Sequence, residues 1–296
     1  MKIKIAILGA TSHIAKGLIL NFLRDKRIEL FLFARVPQKI VHFLESGNLK
    51  LNCYIGGFKQ FTKGTYDVII NCVGLGTPSK VAAENDTIFN LTEKFDDLAL
   101  RYLKKHPKIL YINFSSGVVN TVSANDIKPE HFYAIAKLYQ EAKHRSLNKL
   151  NIVDIRVFSY FSRFIVPDSG YFLTDLIKCI REKQVFITTP CDFTRDFLSH
   201  EDLFSLVCLI LKAGPRNDVV ETYSSKPVTK FELLDYFANN YSLRYTIKRN
   251  VKFSSPTGQK DRYFSASRKA YALFGYRPKF SSLQVIAQEA KYLLNE

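Results

Sequence analysis

"YAIAK" sets a tyrosine, Tyr133, and a lysine, Lys137, one helical turn apart, on the same face of any helix formed there. A phenol with its ordinary pKa near ~10 is a poor acid–base group at neutral pH. An ammonium close by stabilises the phenolate and lowers that value, which makes the pair a unit for moving a proton. "FSS", ending at Ser116, adds a hydroxyl that can donate to the same substrate oxygen. A tyrosine four residues before a lysine is frequent by chance, and alone it reads equally well as part of an amphipathic helix. Following a strand that ends in Ser-Ser, the joint pattern is much more specific.

The elements that must hold these groups alternate along the chain. "IKIAIL", "IELFLFA" and "YDVIINCVG" are apolar, β-rich runs, and "KILYINFSS" and "NIVDIRVF" are two more. Helical spacing fills the intervals: "HIAKGLILNFLRD" with Ile14, Leu18 and Phe22 on one face, a long segment over residues 82–105, and residues 131–147 around the tyrosine. Strands that are apolar throughout and alternate with helices predict a parallel sheet covered on both faces, a doubly wound α/β domain. After Phe158 prolines and glycines recur and the elements shorten. The expected organisation is a nucleotide-binding domain over residues 1–160, rejoined by about 200–224 through the helix after His200 and the strand "DVVETYS". A smaller C-terminal lobe over 161–296 is then expected to bind substrate.

"GATSHIAKG", from Gly9 to Gly17, joins the first strand to the first helix. Amides at such a helix start lack partners and face an anion above the sheet edge, so the loop reads as a phosphate cradle or as a plain tight turn. Gly9 permits the turn, Ser12 allows close backbone approach and adds a hydroxyl donor, and Ala15 is one methyl larger than glycine. The second strand runs into Arg35, where an acidic residue would serve the ribose hydroxyls of NAD. An arginine there suits the 2′-phosphate of NADP, with a surface arginine as the alternative.

Composition narrows the partners. The 296 residues carry 43 basic and 27 acidic side chains, a net charge of +16, spread along the chain. That balance favours anionic partners, whether nucleic acid, acidic lipid or phosphorylated small molecules. The longest apolar stretch, residues 203–211, is far too short to span a bilayer, and no secretory leader is evident, so a cytoplasmic location and no membrane insertion are expected. The five cysteines are scattered, without zinc spacing, and are expected to be free buried thiols with no metal bound.

Taken together, "GATSHIAKG", "DVIINCVG", "NFSSGVV", "YAIAK", "RVFSYFS", "RDFLSHEDL" and "SRKAYALFGYRPKF" occur in the order found in the extended short-chain dehydrogenase/reductases. The sequence resembles that family of nucleotide-sugar epimerases, dehydratases and ketoreductases over nearly its whole length. The resemblance implies a Rossmann-type fold, with Ser116 as the hydrogen-bonding hydroxyl, Tyr133 as acid–base group and Lys137 as the residue that holds the nicotinamide ribose. It implies cofactor contacts from Gly9, Thr11, Ser12, His13, Ile14 and Arg35, and from Cys72, Val73, Gly74 and Lys137. Arg195 matches an arginine that in relatives often contacts the nucleotide diphosphate. Arg262 is a further candidate for that work or a surface arginine, and Ser159 stands where many relatives place a sugar-contacting asparagine. Ser12 and Ala15 replace two of the three loop glycines, which implies weaker cofactor binding. Gly117 and Val118 follow Ser116 where 4,6-dehydratases need Asp-Glu, which argues against dehydration; a base-epimerising cysteine is absent there as well.

The resulting expectation is an NADP(H)-dependent oxidoreductase at C4 of a nucleotide-activated sugar, a 4-keto reductase. A 4-epimerase with retained NAD is the alternative. A non-catalytic, redox-sensing or RNA-binding relative is the rival from another class; the charge favours it, and an intact Ser116, Tyr133 and Lys137 set disfavours it. The two long helices, 82–105 and 131–147, are a possible homodimer face.

Overall fold

The computed structural model describes residues 2–49, 52–74, 87–249 and 260–294. Seven strands form one sheet: β1 (Ile3–Leu8), β2 (Ile28–Phe33), β3 (Tyr54–Gly56), β4 (Val68–Asn71), β5 (Leu110–Ser116), β6 (Ile152–Val157) and β7 (Asn217–Glu221). Their order is β7-β6-β5-β4-β1-β2-β3, and every neighbouring pair is parallel. The doubly wound parallel sheet expected from the alternation is present. The order of the strands reverses between β1 and β4, and the crevice above that switch point is where such sheets bind ligands.

The apolar strands are explained by two cores, one on each face. Ile5 and Ile7 enter one core and Ala6 and Leu8 the other, all four fully buried, because successive side chains point to opposite faces. The same parity divides Val68 and Ile70 from Ile69, and Ile112 and Phe114 from Tyr111. The edge strand β3, three residues long, went unrecognised in the sequence because it is too short to carry a period.

Ten helices complete the described residues: α1 (His13–Phe22), α2 (Gln38–Ser46), α3 (Phe58–Phe61), α4 (Ile88–Lys105), α5 (Phe132–Ser146), α6 (Phe172–Arg181), α7 (His200–Lys212), α8 (Lys230–Tyr241), α9 (Lys269–Phe274) and α10 (Ser282–Leu294). Of the long helix expected over 82–105, residues 82–86 lie outside the described residues. Leu18 and Phe22 of α1 are fully buried, and Ile14 is partly so. α7 packs on α1, and β7 returns to the sheet beside β6.

A further core gathers Phe161, Leu176, Leu233, Phe237 and Ile286, from α6, α8, α10 and the segment after β6. Around it Arg262–Tyr263 pairs in parallel with Thr194–Arg195, and Thr194–Arg195 pairs antiparallel with Val228–Thr229. Among the described residues no helix is long and apolar enough to cross a membrane. The expectation of buried cysteines needs correction: Cys72 is buried, Cys191 is exposed, and Cys53, Cys179 and Cys208 are half-buried. All five are free thiols.

Candidate active site

The loop after β1 turns at Gly9, whose φ of +76° lies in the left-handed region. A Cβ there would stand 2.9 Å from the backbone of both Cys72 and Val73, so glycine lets the loop pass against the end of β4. Ser12 caps α1, its Oγ accepting from the Ala15 amide at 3.2 Å. The hydroxyl accepts in this cap and keeps its own proton to donate. The amides of His13 and Ile14 fall in the first turn, before intrahelical bonding begins. The start of α1, with its unbonded amides and its dipole, has the chemistry to take a diphosphate.

The tightest contact along α1 is made at Gly17. A Cβ on Gly17 would lie 2.1 Å from Tyr160 Oη and 2.8 Å from His200 Cβ, whereas Ala15 is buried with its methyl accommodated. Gly17→Ala is expected to cost about 1–3 kcal/mol through overpacking. A lowered urea midpoint reads this out; an unchanged one would mean that Tyr160 and His200 yield freely. His13 meets the Tyr160 ring edge-on at 4.8 Å, and burial pushes its imidazole down to about 4, leaving it neutral at pH 7.

At the other strand ends, Arg35 is exposed two residues after β2, with Lys39 in the first turn of α2. Lys16 of α1 lies 5.2 Å over the Phe43 ring, and burial together with the charge of Lys39 lowers its pKa. Thr11 is half-buried in the loop, and Gly74 is exposed with open space where a Cβ would be. The Val73 amide donates to Asn71 Oδ1 at 3.0 Å, and burial pushes the Cys72 thiol well up, which makes it unreactive.

β5 delivers Ser116 to the same edge. Its Oγ accepts from the Val118 amide at 3.3 Å and shares a hydrogen bond of 3.2 Å with Tyr263 Oη. The Tyr263 ring packs on Phe158 with centroids 5.1 Å apart, and Arg195 lies 5.9 Å from the Tyr263 centroid. A Cβ on Gly117 would come within 2.4 Å of the Phe158 ring, so the space beside Ser116 is filled by an aromatic face. Tyr133, in the first turn of α5, is half-buried within electrostatic reach of Tyr171 and Tyr263. Lys137 is buried one turn on, its Nζ donating to the Phe114 carbonyl at 3.0 Å and to Gln140 Oε1 at 3.5 Å.

Two expectations change here. Burial raises the Tyr133 phenol, with Tyr171 and Tyr263 adding to the rise, so the lowering expected from Lys137 is not what governs it. The ammonium is turned to the Phe114 carbonyl and is itself lowered, first by burial. Arg262, read as either a site residue or a surface arginine, is exposed, while its strand neighbour Tyr263 faces Ser116; adjacent residues of a strand point to opposite sides. Arg195 is half-buried, stacked 4.4 Å from the Phe193 ring and donating to the carbonyls of Thr194 and Lys260 at 2.9 and 2.7 Å. Burial and Arg195 bring the Lys260 ammonium down to about 8. Ser159 is half-buried, on the two-residue strand that pairs with Phe197–Leu198. Sequence reasoning missed Tyr263, Phe158 and Lys260; for Tyr263 the only signal was its place beside Arg262 in "KDRYF".

A doubly wound sheet with a glycine-turned cradle at its switch point, and with Ser, Tyr and Lys groups on the neighbouring strand and helix, defines a dinucleotide-dependent enzyme class. The family model described as the NAD dependent epimerase/dehydratase family matches residues 5–224. The chain belongs to that family, whose structurally similar members are extended short-chain dehydrogenase/reductase enzymes acting on nucleotide sugars. No curated protein matches it by sequence.

Among solved structures it is similar to the UDP-glucuronic acid 4-epimerase of Bacillus cereus, in complex with UDP-glucuronic acid and NAD. The TM-score is 0.80 at 18% identity, with 99% of each chain covered. The UDP-glucose 4-epimerase of Thermotoga maritima, with UDP-glucose, matches at 0.79 and 14%, again over 99% of each chain. The dTDP-glucose 4,6-dehydratase of Bacillus anthracis, with NAD, matches at 0.77 and 14%, covering 99% of this chain and 97% of the other.

Proposed function

We propose that the protein is an NADPH-dependent reductase of a 4-keto nucleotide sugar. The observation that carries this reading is the cationic corner at the end of β2. Arg35 stands in the place of a ribose-binding carboxylate, and Lys39 and the partly buried Lys16, close enough to feel each other's charge, add positive charge at the starts of the first two helices. The dinucleotide, when bound, supplies the hydride. Tyr133 gives its proton to the C4 oxygen; a phenol raised by burial is in its donor form at neutral pH, which suits reduction. Ser116 and Tyr263 hold that oxygen in line through their hydroxyls, and Lys137 holds the nicotinamide ribose. Arg195 takes the nucleotide diphosphate, aided by Lys260 and by the net charge of +16.

The Phe158 ring against Gly117 supports reduction or epimerisation over dehydration, because it leaves no room for a carboxylate at residue 117. Exposed Phe89, Leu138 and Tyr139 on α4 and α5 support the two-helix face as a homodimer contact. A 4-epimerase retaining NAD is the second reading, favoured by the two solved neighbours that carry that activity in their names.

Titration with NADPH and NADH, followed by nicotinamide fluorescence, separates the readings. NADPH is expected to bind more tightly, and Arg35→Ala to weaken it roughly 10–100-fold while sparing NADH. Equal binding of both, indifferent to Arg35→Ala, moves the epimerase ahead. If neither binds, the dinucleotide reading falls.

A further inference from the structure

Beneath Lys137, on the same helix, a chain of buried polar groups ends on an imidazole clamped by two carboxylates. Lys137 Nζ donates to Gln140 Oε1 at 3.5 Å, Gln140 Nε2 to Asn113 Oδ1 at 3.1 Å, and Asn113 Nδ2 to Asp154 Oδ1 at 2.7 Å. His144 Nδ1 lies 2.9 Å from both Asp154 oxygens, and its Nε2 lies 2.7 Å from Asp96 Oδ1. His144 and Asp154 are fully buried, and Asp96, Asn113 and Gln140 nearly so. Lys137, Gln140 and His144 follow one face of α5, while Asp96 comes from α4, Asn113 from β5 and Asp154 from β6.

The chain has one sense. A carboxylate only accepts, so Asp154 obliges Asn113 to present its amino group and turn its carbonyl to Gln140. Gln140 must then present its amino group to Asn113, which leaves its own carbonyl for the Lys137 ammonium. Both amides are thus oriented from the Asp154 end. Asp154 in turn depends on His144, because two buried carboxylates flanking a neutral ring would leave one lone pair facing another.

We propose that His144, held between Asp96 and Asp154, is a positioning residue for Lys137, acting through Asp154, Asn113 and Gln140. It rests on the reading of Lys137 as the lysine that holds the cofactor's ribose. Both carboxylates push the imidazole up to about 9, against burial, so the ring is an imidazolium with two donors at neutral pH. The groups facing it are Asp96 from α4, with Lys143 Nζ at 3.2 Å, and Asp154 from β6, with Arg145 Nη2 at 2.7 Å. Tyr111 of β5 packs its ring against the imidazole at 5.5 Å and donates to Asp96 at 3.0 Å. Loss of the proton turns one ring nitrogen into an acceptor opposite a carboxylate, the clamp parts, and the shift of Asp154 loosens the hold of Asn113 and Gln140 on Lys137.

The test begins on the full chain without ligand. The imidazole of His144 and the ε-carbon of Lys137 are followed by NMR across the alkaline range, with assignments from His144→Gln and Lys137→Arg. In the wild type, the Lys137 resonance should show a step at the His144 midpoint in addition to its own titration. That step should vanish in Gln140→Met, where His144 still titrates; this variant also carries the test should His144→Gln fail to fold. NADPH affinity should fall about tenfold across the same midpoint in the wild type and show no such step in Gln140→Met. A Lys137 resonance blind to His144 overturns the proposal, as does a step that survives in Gln140→Met, which would reveal a through-space field. If the wild type binds no dinucleotide at neutral pH, the functional reading fails, and the Lys137 step still decides the relay.

Discussion

Tyr133→Phe is expected to lower the rate of 4-keto sugar nucleotide reduction by roughly 10²–10⁴-fold, the span removed with a positioned proton donor. The phenol is the one hydroxyl in this corner carried on α5, one turn ahead of the buried Lys137. Its ring is half-buried and packs toward Ile88 and Ala136, so phenylalanine fills the same space and the fold should be untouched. NADPH affinity should stay within about twofold, since the hydroxyl meets the substrate oxygen and a loss of that size confined to turnover marks a transition-state interaction. The pH profile carries the sign. Burial raises the phenol, so the donor form persists through neutral pH, and activity should fall only on the alkaline side. Single-turnover oxidation of NADPH, wild type against Tyr133→Phe, measures both. A variant that keeps more than about a tenth of the rate would assign the proton to another group, with Tyr263 next in line through its bond to Ser116.

The sheet was legible because both of its faces are covered. A strand such as β1, with Ile5 and Ile7 in one core and Ala6 and Leu8 in the other, cannot alternate and must read as an apolar run. Ser116, Tyr133, Lys137 and the loop at Gly9 were legible because each sits at a strand end or one turn into a helix, where sequence spacing fixes position. What escaped depends on partners far along the chain. Gly17 is required by Tyr160 and His200, and nothing local marks it over Ala15. The inward side of Arg262–Tyr263 is set by its pairing with Thr194–Arg195, and a two-residue strand shows no alternation of its own. The spacing of Lys137, Gln140 and His144 along one helix face was readable, but the carboxylates that give His144 its charge arrive from α4 and β6. Charge counting was equally blind to burial. Arg195 and Lys260 stand near Tyr263, whereas Arg262, next to it in sequence, faces solvent.

Arg163→Met is expected to lower unfolding stability by about 3 kcal/mol, the low end for breaking a buried ion pair, because Arg163 keeps some solvent contact. Glu289 of α10 is buried and accepts three hydrogen bonds from Arg163, from its amide at 2.6 Å, Nε at 3.0 Å and Nη2 at 2.7 Å. The guanidinium also lies over the Tyr292 ring at 3.2 Å. Against burial, His200 and then these contacts with Arg163 hold the Glu289 carboxyl down at about 2. A carboxylate depressed in the folded state gives stability that is complete above its ordinary value and is lost as pH falls toward 2; the amount is on the order of 3 kcal/mol. Glu289→Gln should therefore be less stable than the wild type at neutral pH and show a shallower loss between about pH 4.5 and about pH 2. Urea midpoints of the three proteins over that range decide it. Wild-type stability in Arg163→Met, or an undiminished acid slope in Glu289→Gln, would remove the pair from the stabilising contacts. His200 makes the pair matter to the cofactor loop. Asn21 Nδ2 donates to His200 Nδ1 at 2.9 Å, which leaves the ring proton on Nε2, 3.2 Å from Glu201 and 3.7 Å from Glu289. Asn21 belongs to α1, and the same histidine presses on Gly17. The first helix is thus linked to the C-terminal helix through one imidazole, hydrogen-bonded to Asn21 and 3.7 Å from the Glu289 carboxylate. Arg163→Met should accordingly weaken NADPH binding as well as the fold.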